Sequence, residues 1–253
     1  EPSRGPSNAR NKGISCAKHD ILVFLDADSL VSPEWLSKLT EPFGDNAVGA
    51  VGGEIRPIAQ SNIISQYLSV SLLMRYHRWG KKREINAFPS CNLAVRKIDL
   101  PDGFDPEHLR GQDKELCYRI LDEGKKIVFQ PGAIIYHAHP GTFGSLTELF
   151  IKGALGRTSL GKFYKNKLDI IIFKFHAPLV YLVILALLLI SGNPAPAVIL
   201  LCLPFVYIAA SAVVAACASR KIFLSLVVKP VLDVYSILVT YIAYQYFIIT
   251  GKR

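Results

Sequence analysis

Along the first 145 residues, short apolar runs alternate with stretches whose apolar positions recur at helical spacing, and beyond residue 169 the apolar runs become nearly continuous. Residues 20–25 are the first such run, Ile-Leu-Val-Phe-Leu behind an aspartate, ending at Asp26-Ala27-Asp28. The run is too short for a helix and rich in β-formers, which predicts a buried strand. Ser32-Pro33-Glu34 sets a capping hydroxyl ahead of a proline, the start signal of a helix reaching about Phe43. Further strands are predicted over 48–55, interrupted by Gly52-Gly53, and over 92–95, with an amphipathic helix over 61–74 between them. The segment from Gly111 to Leu121 reads as a helix stopped by Gly124. Residues 126–129 and 133–136 read as strands on either side of Pro131-Gly132. Strands alternating with helices predict an α/β sandwich with a mainly parallel sheet over residues 1–145.

Residues 146–168 place Leu149, Phe150, Leu155, Leu160 and Phe163 among basic side chains, the pattern of an amphipathic connector lying on a membrane surface, with an ordinary surface helix as the alternative. Residues 169–253 read as a membrane region of two to three helices. The stretch 169–191 carries Lys174 and His176 near one end, and 197–219 is uncharged and of spanning length. The stretch 222–250 carries Lys229, Pro230 and Asp233 in its first half. Either 234–250 crosses with tilt, or the first part lies at the interface.

Composition sharpens this division. Half of the chain, 51%, is hydrophobic and 19% is charged, with the charges crowded into the first two thirds. The net charge of +9 does not form a basic stripe interleaved with aromatics, which argues against a nucleic-acid partner. Lys162, Lys165, Lys167 and Lys174, then Arg220 and Lys221, instead flank apolar spans, the mark of a cytosolic membrane face. Five cysteines, an odd number without a CxxC pair, argue against a disulfide framework and a zinc site. The chain opens on Glu1 with nothing resembling a signal peptide, and is expected to be an N-terminally truncated piece.

Three groups of residues carry candidate chemistry. Asp26 and Asp28 end a buried strand, where an open α/β sheet presents its ligand crevice, and such oxygen ligands suit Mg²⁺ or Mn²⁺ bridging to phosphate. A solvated turn is the plainer reading of the same residues. Asp113 and Glu115 open a helix, either to complement its dipole or to provide a general base. His137 and His139 follow a strand, where an imidazole can complete a metal site begun by carboxylates.

Taken in order, Gly5-Pro6-Ser7-Asn8-Ala9-Arg10-Asn11-Lys12-Gly13, Phe24-Leu25-Asp26-Ala27-Asp28, Gly103-Phe104-Asp105, the segment from Gly111 to Arg119 and that from Pro131 to His137 resemble family 2 glycosyltransferases of the GT-A fold, over about residues 1–145. The resemblance implies inverting transfer of one sugar from a nucleotide-diphosphate sugar to an acceptor hydroxyl or phosphate, lipid-linked or glycan, at the cytosolic membrane face. Asp28 and His137 would hold the divalent cation, Asp26 would face the ribose or donor sugar, Arg10 and Asn11 would lie near the nucleotide, and Asp113 would be the catalytic base. Gln112 departs from the family, standing where a Glu often precedes the base, and the family's first strands would lie ahead of Glu1, so this piece alone is expected to be inactive. No Gln-x-x-Arg-Trp follows the base, which favours single transfer over processive synthesis. The rival readings are a non-catalytic membrane scaffold with a degenerate transferase domain and, from Lys229 and Asp233, a channel or transporter.

Overall fold

The computed structural model describes residues 5–58, 62–70, 80–100, 102–106, 110–163 and 223–250, with isolated helical residues between 184 and 213. Its elements are α1 (Pro6–Cys16), β1 (Ile21–Leu25), β2 (Leu30–Val31), α2 (Trp35–Thr40), β3 (Val48–Pro57), α3 (Ile63–Val70), β4 (Arg83–Glu84), β5 (Asn92–Arg96), α4 (Gln112–Asp122), β6 (Lys126–His137), α5 (Phe143–Phe163) and α6 (Lys229–Thr250). The chain divides into two compact units, Glu1–Ser61 with Met74–Pro140, and Asn62–Leu73 with Gly141–Arg253.

The first unit is built on a six-stranded sheet of order β1-β5-β3-β6-β2, with β4 also paired to β6. The α/β class is as expected, but the sheet is mixed rather than mainly parallel. Among the described residues only β3 and β6 pair in parallel, whereas β1–β5, β3–β5, β2–β6 and β4–β6 are antiparallel. Three strands, β1, β3 and β6, do run in one direction. The chain returns through β5 in the opposite sense between two of them, before α4 carries it across to β6.

Both faces of the sheet are covered, which is why β3 is buried through its first eight residues instead of alternating. On one face Ala50, Leu93, Val95, Ile127 and Phe129 pack with Leu116 and Ile120 of α4. On the other, Val48, Val51, Ala94 and Val128 pack with Leu39 of α2 and with Phe43.

Two local expectations need correction. The helix expected from Ser32-Pro33 starts at Trp35, because the Trp35 amide closes a turn on the Ser32 carbonyl first, and it tightens into a 3₁₀ turn over Glu41–Gly44. The two strands expected around Pro131-Gly132 are one strand with a bulge. Gly53 pairs with Gln130 and the next residue, Glu54, with Ile134, so Pro131, Gly132 and Ala133 loop out of register. Gly132 takes a φ of 88° there, a left-handed geometry that glycine adopts at no steric cost.

In the second unit, Asn62 caps α3, its Oδ1 accepting from the Ile64 and Ser65 amides at 3.1 and 2.9 Å. The connector expected over 146–168 is helical from Phe143, and its inward face packs on α6: Ala154 against Ala243 and Tyr244, and Phe143 and Phe150 edge-on to Tyr235. A π-helical turn over Leu224–Val228 runs without a break into α6. Together they make a 27-residue helix, Leu224–Thr250, long and apolar enough to cross a membrane. The spans expected over 169–191 and 197–219 lie largely outside the described residues. Lys229 is buried and pairs with Asp233, whose other oxygen accepts from the Tyr67 hydroxyl at 3.0 Å. The charges behind the transporter reading therefore neutralise each other and fasten α3 to α6.

Candidate active site

β1 was expected to be a buried strand, but only Leu22 of it is buried and Leu25 is exposed, because β1 stands at the edge of the sheet. The chain turns after Leu25, the Ser29 amide donating to the Asp26 carbonyl at 3.1 Å. That turn lets Asp26 and Asp28 reach the same side. Directly beyond it, β2 pairs with the far end of β6, Leu30 opposite Tyr136, which delivers His137 beside both carboxylates. His137 Nε2 lies 3.4 Å from Asp26 Oδ2 and 3.4 Å from Asp28 Oδ1. One ligand atom from each of the three lies within 4.8 Å of the others. His139 is not part of this cluster.

The donor set suits a divalent cation. Two carboxylates supply hard oxygen ligands, and His137 Nδ1 lies 2.8 Å from the Ala138 carbonyl, so the tautomer that donates there would leave an Nε2 lone pair for a cation between the three groups. The cluster is half open to solvent, with Asp28 66% exposed and His137 24%. Asp26, assigned from sequence to the ribose or donor sugar, offers its oxygen to the cluster as closely as Asp28 does.

Asp113 sits in the first turn of α4, entered through Gly111 in a left-handed conformation. Its Oδ2 accepts from the Ser90 amide at 3.2 Å and its Oδ1 from the Lys114 amide at 2.9 Å. Burial pushes its carboxyl above the ordinary range, against the pull of these amides and of the Arg10 guanidinium. Glu115, the other carboxylate of that turn, is held bidentately by Arg119 at 2.7 and 3.0 Å and is committed to structure. Burial, and after it the carboxylates of Asp26, Asp113 and Asp28, push the thiol of Cys91 up to about 12.

Arg10 donates to Gln112 Oε1 at 2.9 Å and lies over the Phe104 ring at 5.1 Å. Since Gln112 is neutral, it orients the guanidinium without cancelling its charge, a use of this position that the sequence did not disclose. Arg10 also lines a cavity of about 340 Å³ between α1 and β1, with Ile14, Lys18, His19, Val23 and Phe24. Asn11 spends its amide differently, donating to the Phe104 carbonyl and accepting from the Phe104 amide, both at 2.7 Å. It clamps the Gly103-Phe104 backbone to α1, where Gly103 has a φ of 64° and a Cβ would fall 2.4 Å from Asn11 Oδ1.

Sequence reasoning passed over Ser90, Cys91 and Asn92. Their only signal was position, directly ahead of a predicted strand in a sheet whose register was unknown.

This geometry meets an independent finding, a match of residues 1–101 to the profile described as Glycosyl transferase family 2. The match spans 101 of the chain's 253 residues. The chain is similar to the pre-mycofactocin glycosyltransferase of Mycobacterium tuberculosis (strain CDC 1551 / Oshkosh), with 29% identity over 144 residues, 54% of this chain and 31% of that protein. It is similar also to the probable glycosyltransferase YdaM of Bacillus subtilis (strain 168), with 28% identity over 186 residues, 67% of this chain and 43% of that protein. The chain thus spans less than half the length of either relative. Among solved structures, GalNAc-T7 with UDP, GalNAc and Mn²⁺ superimposes with a TM-score of 0.40 at 17% identity, over 58% of this chain and 34% of that one. The matched residues include Asp26 and Asp28, while Asp113 and His137 lie beyond them in the sequence.

Proposed function

We propose that the chain works as a metal-dependent, inverting glycosyltransferase that moves a single sugar from a nucleotide-diphosphate sugar to a lipid-linked or glycan acceptor at the cytosolic face of a membrane. The observation that carries this reading is the convergence of Asp26, Asp28 and His137, beside a buried Asp113 carboxyl at the start of α4, in a chain whose residues 1–101 match family 2. A divalent cation held by Asp26, Asp28 and His137 would neutralise charge on the leaving diphosphate. Asp113 takes the proton of the acceptor hydroxyl, and the freed oxygen bonds to the anomeric carbon as the bond to the diphosphate breaks on the opposite face. A base held partly buried, with its carboxyl pushed up, is the better proton acceptor for that task. Arg10, oriented by Gln112 and lining the cavity beside β1, is placed to meet the donor's nucleotide, while Asn11 holds the Phe104 backbone that Arg10 rests on. The Leu224–Thr250 helix supports attachment to the membrane and hence a lipidic acceptor.

The test is donor hydrolysis and transfer by the full-length protein, reconstituted in membranes, across a panel of nucleotide sugars, with Mn²⁺, with Mg²⁺ and with chelator. Metal-dependent turnover that Asp28→Ala and His137→Ala abolish supports the reading. Folded, membrane-inserted protein that binds no donor and turns none over would return the scaffold alternative.

A further inference from the structure

We propose that Asn92, the first residue of β5, is a positioning residue that sets the spacing between His137 and the Asp26–Asp28 pair; this rests on the metal-dependent reading above. The Asn92 side chain is fully buried and makes three hydrogen bonds. Its Nδ2 donates to the Glu54 carbonyl of β3 at 3.1 Å and to the Ala133 carbonyl of the β6 bulge at 3.0 Å. Its Oδ1 accepts from Trp35 Nε1 at 2.9 Å. Indole is donor only, so the Trp35 bond fixes which way the amide faces and aims the nitrogen at the two carbonyls.

Each ligand of the cluster is indexed from this one residue. Through its backbone, Asn92 stands opposite Leu25, the last residue of β1, so Asp26 is the first residue beyond the strand. Through its side chain, Asn92 grips the last residue of the bulge, after which β6 runs from Ile134 to His137 in unbroken register with β3 from Glu54 to Pro57. A loop of three unpaired residues has neighbouring registers available to it, and a slip of one residue turns every following side chain to the other face. The two Nδ2 bonds select the register that points His137 at the carboxylates. Gly53 supports the same node, since a Cβ there would stand 2.4 Å from both the Ala133 oxygen and Asn92 Nδ2.

The experiment measures Mn²⁺ binding directly, from the free-ion electron paramagnetic resonance signal, on the full chain in detergent, beside donor turnover as a function of Mn²⁺. The variants are Asn92→Ala, Gly53→Ala, Trp35→Phe, Asp28→Ala and His137→Ala. Asn92→Ala and Gly53→Ala are expected to weaken Mn²⁺ binding about 10–100-fold, the range for residues that orient a metal ligand. Trp35→Phe, which leaves both Nδ2 bonds in place, should shift binding less. Wild-type Mn²⁺ affinity in both Asn92→Ala and Gly53→Ala, with His137→Ala and Asp28→Ala impaired, overturns the positioning role and leaves the proposed function standing. Unchanged affinity in Asp28→Ala and His137→Ala overturns the metal reading and this inference together. Should Asn92→Ala lose cooperative unfolding, Gly53→Ala decides alone.

Discussion

Asp113 and Glu115 share the first turn of α4, and their surroundings give them opposite tasks. Arg119 occupies both oxygens of Glu115, whereas Asp113 receives only backbone amides and keeps a carboxyl pushed up by burial. Asp113→Asn should therefore lower turnover about 10²–10⁴-fold, the usual worth of a general base, with donor binding preserved in calorimetric titration. Wild-type turnover should fall with acid at a pH above the ordinary aspartate value of about 3.9. The stability effect has the opposite sign. Because the folded state disfavours the charged form of Asp113, wild type loses stability as pH rises through that value toward the raised one, and the loss persists above both. Asp113→Asn should thus melt higher than wild type at pH 7, with the gap closing below about pH 3.9, as read by thermal unfolding. Cys91 gives a second check at this scale. With its thiol near 12, thiolate is scarce at neutral pH, and iodoacetamide with mass spectrometry should find Cys91 alkylated far more slowly than the exposed Cys16.

At the scale of elements, α1 is tied to its neighbour by few but specific bonds. Asn11 satisfies both backbone groups of Phe104, and Ser7 Oγ donates to the Asp105 carbonyl at 3.0 Å. Asn11→Ala strands a backbone donor and acceptor together, which should cost about 1–3 kcal/mol in chemical unfolding of the detergent-solubilised chain. It should also weaken donor binding by releasing the ring on which Arg10 rests. Asp26, Asp28, Asp113 and His137 could be named as candidates from the sequence because each sits at an element end and falls on a motif of the family it resembles. Asn92 could not: a lone amide at the head of an apolar strand carries no signal until one knows that β5 lies between β1 and β3, and that three residues of β6 bulge toward it. The same bulge hid the continuity of β6, since Pro131-Gly132 reads locally as a break. The mixed sheet was hidden for a related reason, because strand direction is set by which neighbour a strand finds and not by its own residues.

At the scale of the whole molecule, the most consequential feature is where α3 belongs. It lies between β3 and β4 in the chain, yet it groups with the later helices, its buried Tyr67 bonded to Asp233 of α6. The backbone therefore passes between the units three times, at 61/62, 73/74 and 140/141. A chain ended at Pro140 would keep α3 but lose what covers Ile64, Tyr67 and Leu68, and should associate in sedimentation velocity. Replacing residues 62–73 of that shortened chain with a glycine–serine linker should return it to a monomer. The interleaving also bears on how such a protein can be inherited. A recombination event near residue 140 would hand the sheet-bearing unit to a new partner along with a helix fitted to the old one, so the two units are expected to be inherited as one piece.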